Sequence, residues 1–436
     1  MKVIKFQPDC AEFRRLLDRA QKPSPEIAAR VADIIQQVRA DGDLALCEFS
    51  HQFDRVALLP EELRVTPEEI DAGAAQVDAD FMTASVLARV NIRKFHEYQR
   101  RVSYEHPDGD GVRLAKRVLP LSRVGIYVPA GSAPLFSSLL MCAVPAQIAG
   151  VEQIAVCASP DKNGKIPAPI LATAKMLNLT EIYRVGGAQA IAAMAYGTPT
   201  VAPVDKIVGP GGPYVNMAKR LVFGQCGIDA LAGPSELAII ADRTAPSEFI
   251  AADLISQLEH GSGHEAAALF TDSRDLAAGV LIEIDRQLQR LSRGDLIRRA
   301  LADYGAIFYC SDLAAAADAA NRWAPEHLEI IAKNQEDLLL SVRNAGAVFL
   351  GAFSAEPVGD YFAGTNHVLP TAGSARFMSS LSVYDFVKDI SVIRYTAARL
   401  AVAGRHIIKM ANAEGLTAHA AAVQIRLDKI GGGESN

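Results

Sequence analysis

The sequence predicts an α/β protein with two parallel-sheet domains, preceded and followed by helical segments. Short apolar runs alternate with helix-patterned segments through the middle of the chain, and the first three runs begin about 29 residues apart, the length of one βαβ unit. Long amphipathic helical patterns occupy both ends. At 436 residues, the chain is long enough to bury two such cores. We therefore expect two Rossmann-like parallel-sheet domains with a helical N-terminal arm and a helical C-terminal tail.

The elements are assigned in chain order. Residues 1–120 are predicted to form a helical arm and cap, with amphipathic stretches at 25–49 and 67–101, packed partly on the second α/β domain. Residues 121–234 form the first α/β domain, with strands predicted at 124–128, 153–157, 181–185 and 206–208. Residues 235–378 form the second, with strands at 237–241, 266–270, 306–309, 328–331 and 347–350. Residues 379–436 are predicted to be a tail of two helices joined near Gly415.

Composition narrows the functional class. Half of the residues are hydrophobic, 22% are charged and the net charge is −6, which is typical of a globular protein and lacks the basic footprint of general nucleic-acid binding. The first residues have no signal-peptide pattern, and no window is apolar enough to span a membrane. The six cysteines are scattered singly, without paired spacing. These features predict a cytoplasmic enzyme with a small-molecule substrate.

Two glycine turns follow predicted strands, at 185–189 (VGGAQ) and 209–212 (GPGG). Turns of this kind lie at the carboxyl ends of parallel strands, where backbone N–H groups can receive phosphates. The chain contains neither the G-x-G-x-x-G fingerprint nor a P-loop, and plain tight turns are an equally good interpretation. The glycine turns alone therefore leave a nucleotide site open.

A helix ending at 261 carries the most informative pair, Gln257 and His260. Residues three apart project from the same helix face, so one side-chain oxygen and one imidazole can converge on a zinc ion. The alternative is a solvated or capping pair. Other polar residues lie in loop-like contexts, where chemistry is usually placed on a rigid scaffold. They are Glu326, His327, Asp360, His367 and His419.

Together, these segments resemble the histidinol dehydrogenases, which are zinc- and NAD-dependent enzymes of histidine biosynthesis. The resemblance covers nearly the whole chain. It is carried by 228–236 (IDALAGPSE), 252–254 (ADL) with Gln257 and His260, 325–328 (PEHL), 359–361 (GDY), 366–370 (NHVLP) and 414–419 (EGLTAH).

The resemblance implies the role of each matching residue. Zinc ligands would be Gln257, His260, Asp360 and His419, an N/O set suited to that metal. The acid/base pair would be Glu326 and His327, and NAD contacts would include Tyr127 and Gln189. The substrate would contact the four metal-binding residues together with Ser235, His327, His367 and Glu414. In the family the last helices cross to the partner subunit, so His419 and Glu414 would complete the other active site of a homodimer.

One position departs from the family pattern. The family usually has Gly-Pro-Gly-Asn where this chain has Gly209-Pro210-Gly211-Gly212, so the asparagine contact to NAD would be missing. The implied reaction is a four-electron oxidation of L-histidinol to L-histidine through histidinaldehyde. Alternatives are a paralogue that oxidises another zinc-chelating alcohol, such as a sulfopropanediol, a zinc hydrolase that uses Glu326 as its base, or a non-catalytic α/β binding protein. Glu414 would repel a sulfonate and so favours an imidazole substrate.

Overall fold

The computed structural model describes residues 1–18, 24–108, 111–131, 133–260 and 263–432. Within these ranges the helices are α1 Ala11–Leu17, α2 Pro25–Asp41, α3 Asp43–Phe49, α4 Pro67–Ala74, α5 Ala79–Glu97, α6 Phe136–Ala149, α7 Ala168–Met176, α8 Gly187–Tyr196, α9 Pro213–Val222, α10 Ser247–Gln257, α11 Arg274–Leu288, α12 Gly294–Tyr304, α13 Leu313–Trp323, α14 Gln335–Ser341, α15 Glu356–Tyr361, α16 Ala397–Ala413 and α17 Thr417–Gly432.

The strands are β1 Val3–Lys5, β2 Tyr104–Asp108, β3 Val112–Pro120, β4 Arg123–Val128, β5 Gln153–Ala158, β6 Ile182–Tyr183, β7 Lys206–Val208, β8 Gly227–Ile228, β9 Glu236–Ala241, β10 Ala266–Thr271, β11 Gly305–Tyr309, β12 His327–Ile331, β13 Ala347–Leu350 and β14 Val387–Tyr395.

The chain forms two units, one of residues 1–99 and 121–386 and the other of 100–120 and 387–436. The first unit contains a five-stranded parallel sheet in the order β6-β5-β4-β7-β8 and a six-stranded parallel sheet in the order β1-β11-β10-β9-β12-β13. Helices cover both faces of each sheet, which is why the strand sequences are continuous apolar runs. The predicted α/β class and its two parallel sheets are confirmed.

The N-terminal segment is divided between the two sheets. Helices α2 and α3 pack on α8 and α9, α4 packs on α7 and α5 on α6, all around the five-stranded sheet. Strand β1 instead pairs in parallel with β11, and α1 packs on α13 of the six-stranded layer. Packing on the second domain is made by these first residues and by α5, whose Asn91 side chain donates to the carbonyl of Phe362 at 2.8 Å. The strand β1 was not predicted, because three residues carry no readable period.

The second unit contains a three-stranded antiparallel sheet, β14-β3-β2, and the helices α16 and α17. Its three strands were not predicted, because the arm was expected to be mostly helical and the tail to consist of helices. The borders of this unit fall after residues 99, 120 and 386; the border at 120 coincides with a predicted one, whereas the C-terminal part of the unit begins at 387 and not at 379. The physical reason is that nine residues of β14 pair with β3, which lies more than 250 residues earlier, and such a pairing leaves no local signal.

Local sequence signals do explain several boundaries. Ser24 caps α2 through the Glu26 N–H, and α2 ends at Gly42, whose φ of 57° lies in the left-handed region. The predicted break between the last two helices is confirmed at Gly415, with φ 73°.

Candidate functional site

Glu326 and His327 lie at the amino end of β12, where the backbone turns sharply into the strand. Ala324 has a left-handed φ of 51° and is followed by Pro325, so the chain is irregular just before the strand begins. As a result, the side chains of the neighbours Glu326 and His327 lie on the same side, with Oε2 and Nδ1 3.7 Å apart. In regular strand they would point to opposite faces. The two residues predicted to act as a pair are therefore brought together.

Glu236, the first residue of β9, holds both members of this pair. Its backbone N–H donates to Oε2 of Glu326 at 3.0 Å, and its backbone carbonyl accepts from Nδ1 of His327 at 3.2 Å. Its own carboxylate accepts from the N–H of Ala372 at 3.0 Å. Glu236 was not predicted to have a role, although a single acid beside a fully apolar strand is a usable signal.

The hydrogen bond to Glu236 fixes the tautomer of His327. A carbonyl oxygen can only accept, so Nδ1 carries the hydrogen and Nε2 of the neutral ring carries the lone pair. Nε2 lies 3.9 Å from Oε1 of Glu356 and 3.9 Å from Oδ1 of Asp360. The ring is thus oriented to receive a proton on its Nε2 side.

The pKa of Glu326 is raised well above its ordinary value, first by burial and then by the nearby carboxylate of Glu236. Burial likewise raises the pKa of Glu356 to about 9, with further contributions from the charge of Asp360 and a side-chain hydrogen bond to it. A carboxyl with a raised pKa can exchange protons near neutral pH. The site therefore combines an oriented imidazole with a buried carboxyl suited to acid–base chemistry.

The ligand atoms of His327, Glu356 and Asp360 lie within 4.8 Å of one another and could hold a metal ion. Among the predicted zinc ligands, Asp360 lies in this group, and Gln257 is fully buried as the last residue of α10. His260 ends the short 3-10 helix after α10, but its side chain lies outside the described part of the structure. His419 lies in the second unit. Glu356 was not predicted.

The remaining predicted substrate contacts are distributed over three places. His367 bonds through Nδ1 to the backbone carbonyl of Asp360 at 2.9 Å, with its Nδ1 3.8 Å from Oδ1 of that residue. Ser235 precedes β9, is partly buried and accepts from the N–H of Ala266 through its carbonyl. Glu414 and His419 flank the turn between α16 and α17 in the second unit, and both are exposed.

A cleft of about 530 Å³ lies at the carboxyl ends of β4, β6 and β7. It is lined by both predicted cofactor residues, Tyr127 and Gln189, together with Gly187 and Gly212. The hydroxyl oxygen of Tyr127 accepts from the N–H of Gly187 at 3.2 Å, and burial raises the pKa of Tyr127. Gln189 is 1% exposed. This is the edge of a parallel α/β sheet where ligands ordinarily bind.

The glycine turn after β7 is fixed by a buried ion pair. Lys219 pairs with Asp229 and donates to the carbonyl of Gly209 at 3.0 Å, and Asp229 accepts from the N–H of Gly209 at 2.7 Å. Gly209 has φ 113°, and a Cβ there would lie 2.2 Å from the carbonyl oxygen of Tyr127. Only glycine is compatible with both constraints. The turn is therefore rigid where it borders the cleft.

Asp54 also lines this cleft and was not predicted from the sequence. Its Oδ2 is buried without a hydrogen-bond partner among the described residues, and burial raises its pKa to about 6. Arg30 lines the same cleft, 5.4 Å from the ring centroid of Phe53 and 5.8 Å from that of Tyr214. Both Arg30 and Asp54 come from the helical N-terminal segment. No motif links that segment to the glycine turns, so only folding reveals their common cleft.

In the part of the chain that the structure describes, no helix is both long and apolar enough to cross a lipid bilayer.

Taken together, a glycine-lined cleft at the carboxyl edge of one parallel sheet and a buried histidine–carboxyl cluster at the amino edge of another define a two-sheet α/β enzyme with acid–base chemistry. A sequence model of the histidinol dehydrogenases matches residues 17–427. The chain belongs to the histidinol dehydrogenase family, as its motifs predicted.

Individual relatives agree with this assignment. The chain is 50% identical to the histidinol dehydrogenase of Geobacillus kaustophilus over 92% of this chain and 93% of that protein. It is 49% identical to that of Halalkalibacterium halodurans over 98% and 99% of the two chains. The crystal structure of histidinol dehydrogenase from Elizabethkingia anophelis superposes with a TM-score of 0.92 at 38% identity, covering 99% of each chain.

Proposed function

We propose that the protein oxidises L-histidinol to L-histidine through histidinaldehyde, using two NAD in succession and a zinc ion that positions the substrate. Membership of the family supports the substrate and the reaction class. The observation that carries the chemistry is the orientation of His327, whose Nδ1 is bonded to Glu236 and whose Nε2 faces the carboxyl cluster.

His327 acts in the first oxidation. Its Nε2 takes the hydroxyl proton of the substrate as the carbinol C–H bond breaks, and the electron pair leaves with the hydride. The Nδ1 bond to Glu236 keeps the ring in place and stabilises the positive charge that develops on it. Such positioned proton transfer contributes roughly 10²–10⁴ in rate.

Glu326 acts in the second oxidation. Its carboxylate takes a proton from water, whose oxygen adds to the aldehyde carbon, and loss of the second hydride yields the acid. Burial and the neighbouring carboxylates raise the pKa of Glu326, so it is a stronger base than an exposed glutamate. The N–H of Glu236 orients the carboxylate.

Four residues would hold zinc: Gln257, His260, Asp360 and His419. Amide oxygen, carboxylate and imidazole are donors that zinc accepts, and Gln257 is fully buried while Asp360 lies in a cluster that could hold a cation. Bound zinc would serve as a template that fixes the amino and imidazole nitrogens of the substrate. The same four side chains, with Ser235, His327, His367 and Glu414, would surround the substrate.

The cleft beside Tyr127 and Gln189 would bind NAD, which accepts hydride at its nicotinamide ring. The backbone N–H groups of the two glycine turns and the N-terminal ends of α8 and α9 suit a pyrophosphate. The rigid support from Lys219 and Asp229 would keep the second turn in the geometry that binds it. Gly212 leaves this cleft without the family asparagine.

We also propose a cytoplasmic homodimer in which Glu414 and His419 complete the active site of the partner subunit. Both residues are exposed beside the turn at Gly415, as residues that contact another chain would be in an isolated protomer. Glu414 would accept a charge-assisted hydrogen bond from the substrate imidazole.

The test is NADH formation by the zinc-loaded protein with L-histidinol. We expect two NADH for each histidine formed and loss of activity when a chelator removes the metal. Turnover of a different alcohol but not of histidinol would overturn the substrate assignment, and full activity without metal would overturn the role of zinc.

A further inference from the structure

Three elements around the proposed metal site each carry two polar residues with matched spacing. Helix α10 carries Asp253 and Gln257, β12 carries His327 and Glu329, and α15 carries Glu356 and Asp360. Residues four apart on a helix and two apart on a strand share a face. We call Gln257, His327 and Asp360 the site row. Asp253, Glu329 and Glu356 form the rear row.

The members of the rear row contact one another. The carboxyl of Glu329 accepts from the N–H of Glu356 at 3.0 Å, at the first residue of α15, and it is hydrogen bonded to the side chain of Asp253 on α10. Glu356 in turn is hydrogen bonded to the side chain of Asp360. All three are at least 90% buried, at 8%, 1% and 2% exposure for Asp253, Glu329 and Glu356. Glu329 therefore ties both ligand-bearing helices to the strand that carries His327.

The bond between Asp253 and Glu329 requires a shared proton, because two carboxyl groups can hydrogen bond only when one of them is protonated. The carboxyl of Glu329 also accepts from the backbone N–H of Glu356 on α15 at 3.0 Å.

We propose that Glu329 is a positioning residue that sets the spacing of Gln257 and Asp360 around the metal. This inference rests on the proposed zinc site. Buried carboxyls are costly unless they are hydrogen bonded, so a chain of them across three elements holds together only in one arrangement of those elements. Groups that orient metal ligands in this way change metal affinity roughly 10–100-fold when they are removed.

The experiment compares zinc affinity, measured by competition with a chelator, in the dimeric wild-type protein and its variants. Glu329→Leu substitutes an apolar side chain of similar size, which removes both hydrogen bonds. We expect the zinc dissociation constant of this variant to rise roughly 10–100-fold. Glu329→Gln retains a donor for Asp253 and an acceptor for Glu356, so its affinity should stay close to that of the wild type. The absorption spectrum of the Co²⁺-substituted protein reports ligand geometry. It should therefore change in Glu329→Leu and stay close to that of the wild type in Glu329→Gln.

A matched control removes another buried acid. Asp43 accepts from the N–H and hydroxyl of Thr200 in the layer of the five-stranded sheet, so Asp43→Leu should lower stability without changing zinc affinity. Unchanged zinc affinity and Co²⁺ spectrum in folded Glu329→Leu would overturn the inference while leaving the metal site intact. If Glu329→Leu does not fold, Asp253→Ala is measured in its place. We expect the same loss of zinc affinity, and an unchanged affinity would contradict the inference. A wild-type protein that binds no zinc would overturn the proposed metal site itself, and this inference with it.

Discussion

Nδ1 of His327 donates to the backbone carbonyl of Glu236 across 3.2 Å, joining the first residues of two neighbouring parallel strands. The same backbone unit of Glu236 donates to Glu326 at 3.0 Å. One residue thereby orients both the proposed base of the first oxidation and that of the second. Because these contacts use main-chain atoms, their geometry depends on the register of β9 and β12 more than on the side chain of Glu236.

This arrangement predicts separate defects for the two catalytic residues. His327→Ala should slow NADH formation from histidinol by roughly 10²–10⁴, because proton removal from the alcohol is lost. Glu326→Gln should mainly slow oxidation of histidinaldehyde, because an amide cannot activate water. Single-turnover measurements with each substrate distinguish the two steps. His106→Ala, at an exposed position in β2, is the control, and equal losses in both steps for both variants would contradict the division.

Gly212 offers a test of the departure from the family pattern. It is the N-cap of α9 with an extended backbone (φ −69°, ψ −177°), and a Cβ there would meet nothing within 4 Å. Gly212→Asn should therefore fold normally and strengthen NAD binding by up to about tenfold, the worth of one hydrogen bond. Gly212→Ala supplies the Cβ without the amide and should leave the affinity unchanged. Equal NAD affinity in both variants, measured by calorimetry, would show that the asparagine contact is dispensable.

Asp54 should govern how NAD binding depends on pH. Its pKa is about 6, so the carboxylate is mostly ionised at pH 7 and mostly protonated at pH 5. An ionised carboxylate in the cleft can accept both hydroxyl hydrogens of a ribose, and it repels a 2′-phosphate. We expect NAD affinity to fall from pH 7 to pH 5 in the wild type.

The variant Asp54→Asn separates this effect from other titrations. It should bind NAD roughly tenfold more weakly at pH 7, lose the pH dependence and discriminate less against NADP. The control is Asp33→Asn, at an exposed position of α2, which should behave as the wild type. A wild-type pH profile in Asp54→Asn would remove the carboxylate from the cofactor site.

Mixing of inactive variants tests the shared active site. Glu326→Gln and His419→Ala should each form inactive homodimers. If His419 serves the partner subunit, a mixed dimer contains one site with both residues intact, so co-expression should restore activity well above either parent. The metal content of the mixed dimer should lie between those of the two parents, because Glu326→Gln keeps all four proposed ligands whereas His419→Ala removes one of them. Co-expressed variants that form mixed dimers without regaining activity would place both residues in the same chain's site.

Several features of the fold could be predicted from the sequence because they depend on local patterns. Apolar runs bounded by glycine turns indicated the strands of both parallel sheets, and the left-handed Gly415 separated the last two helices as expected. The antiparallel pairing of β14 with β3 could not be predicted, because strand propensity does not identify a distant partner.

Within the candidate site, the sequence by itself determined which residue types are available, and its motifs selected Glu326, His327 and Asp360 through their resemblance to one family. Only the tertiary structure decided that Glu236 orients the first two, that Asp54 lines the cleft beside Tyr127 and Gln189, and that Asp253, Glu329 and Glu356 form one buried row. The physical reason is that hydrogen bonds and raised pKa values depend on distances of a few ångströms between elements far apart in the chain. Sequence spacing sets which face a residue occupies, whereas packing sets what that face meets.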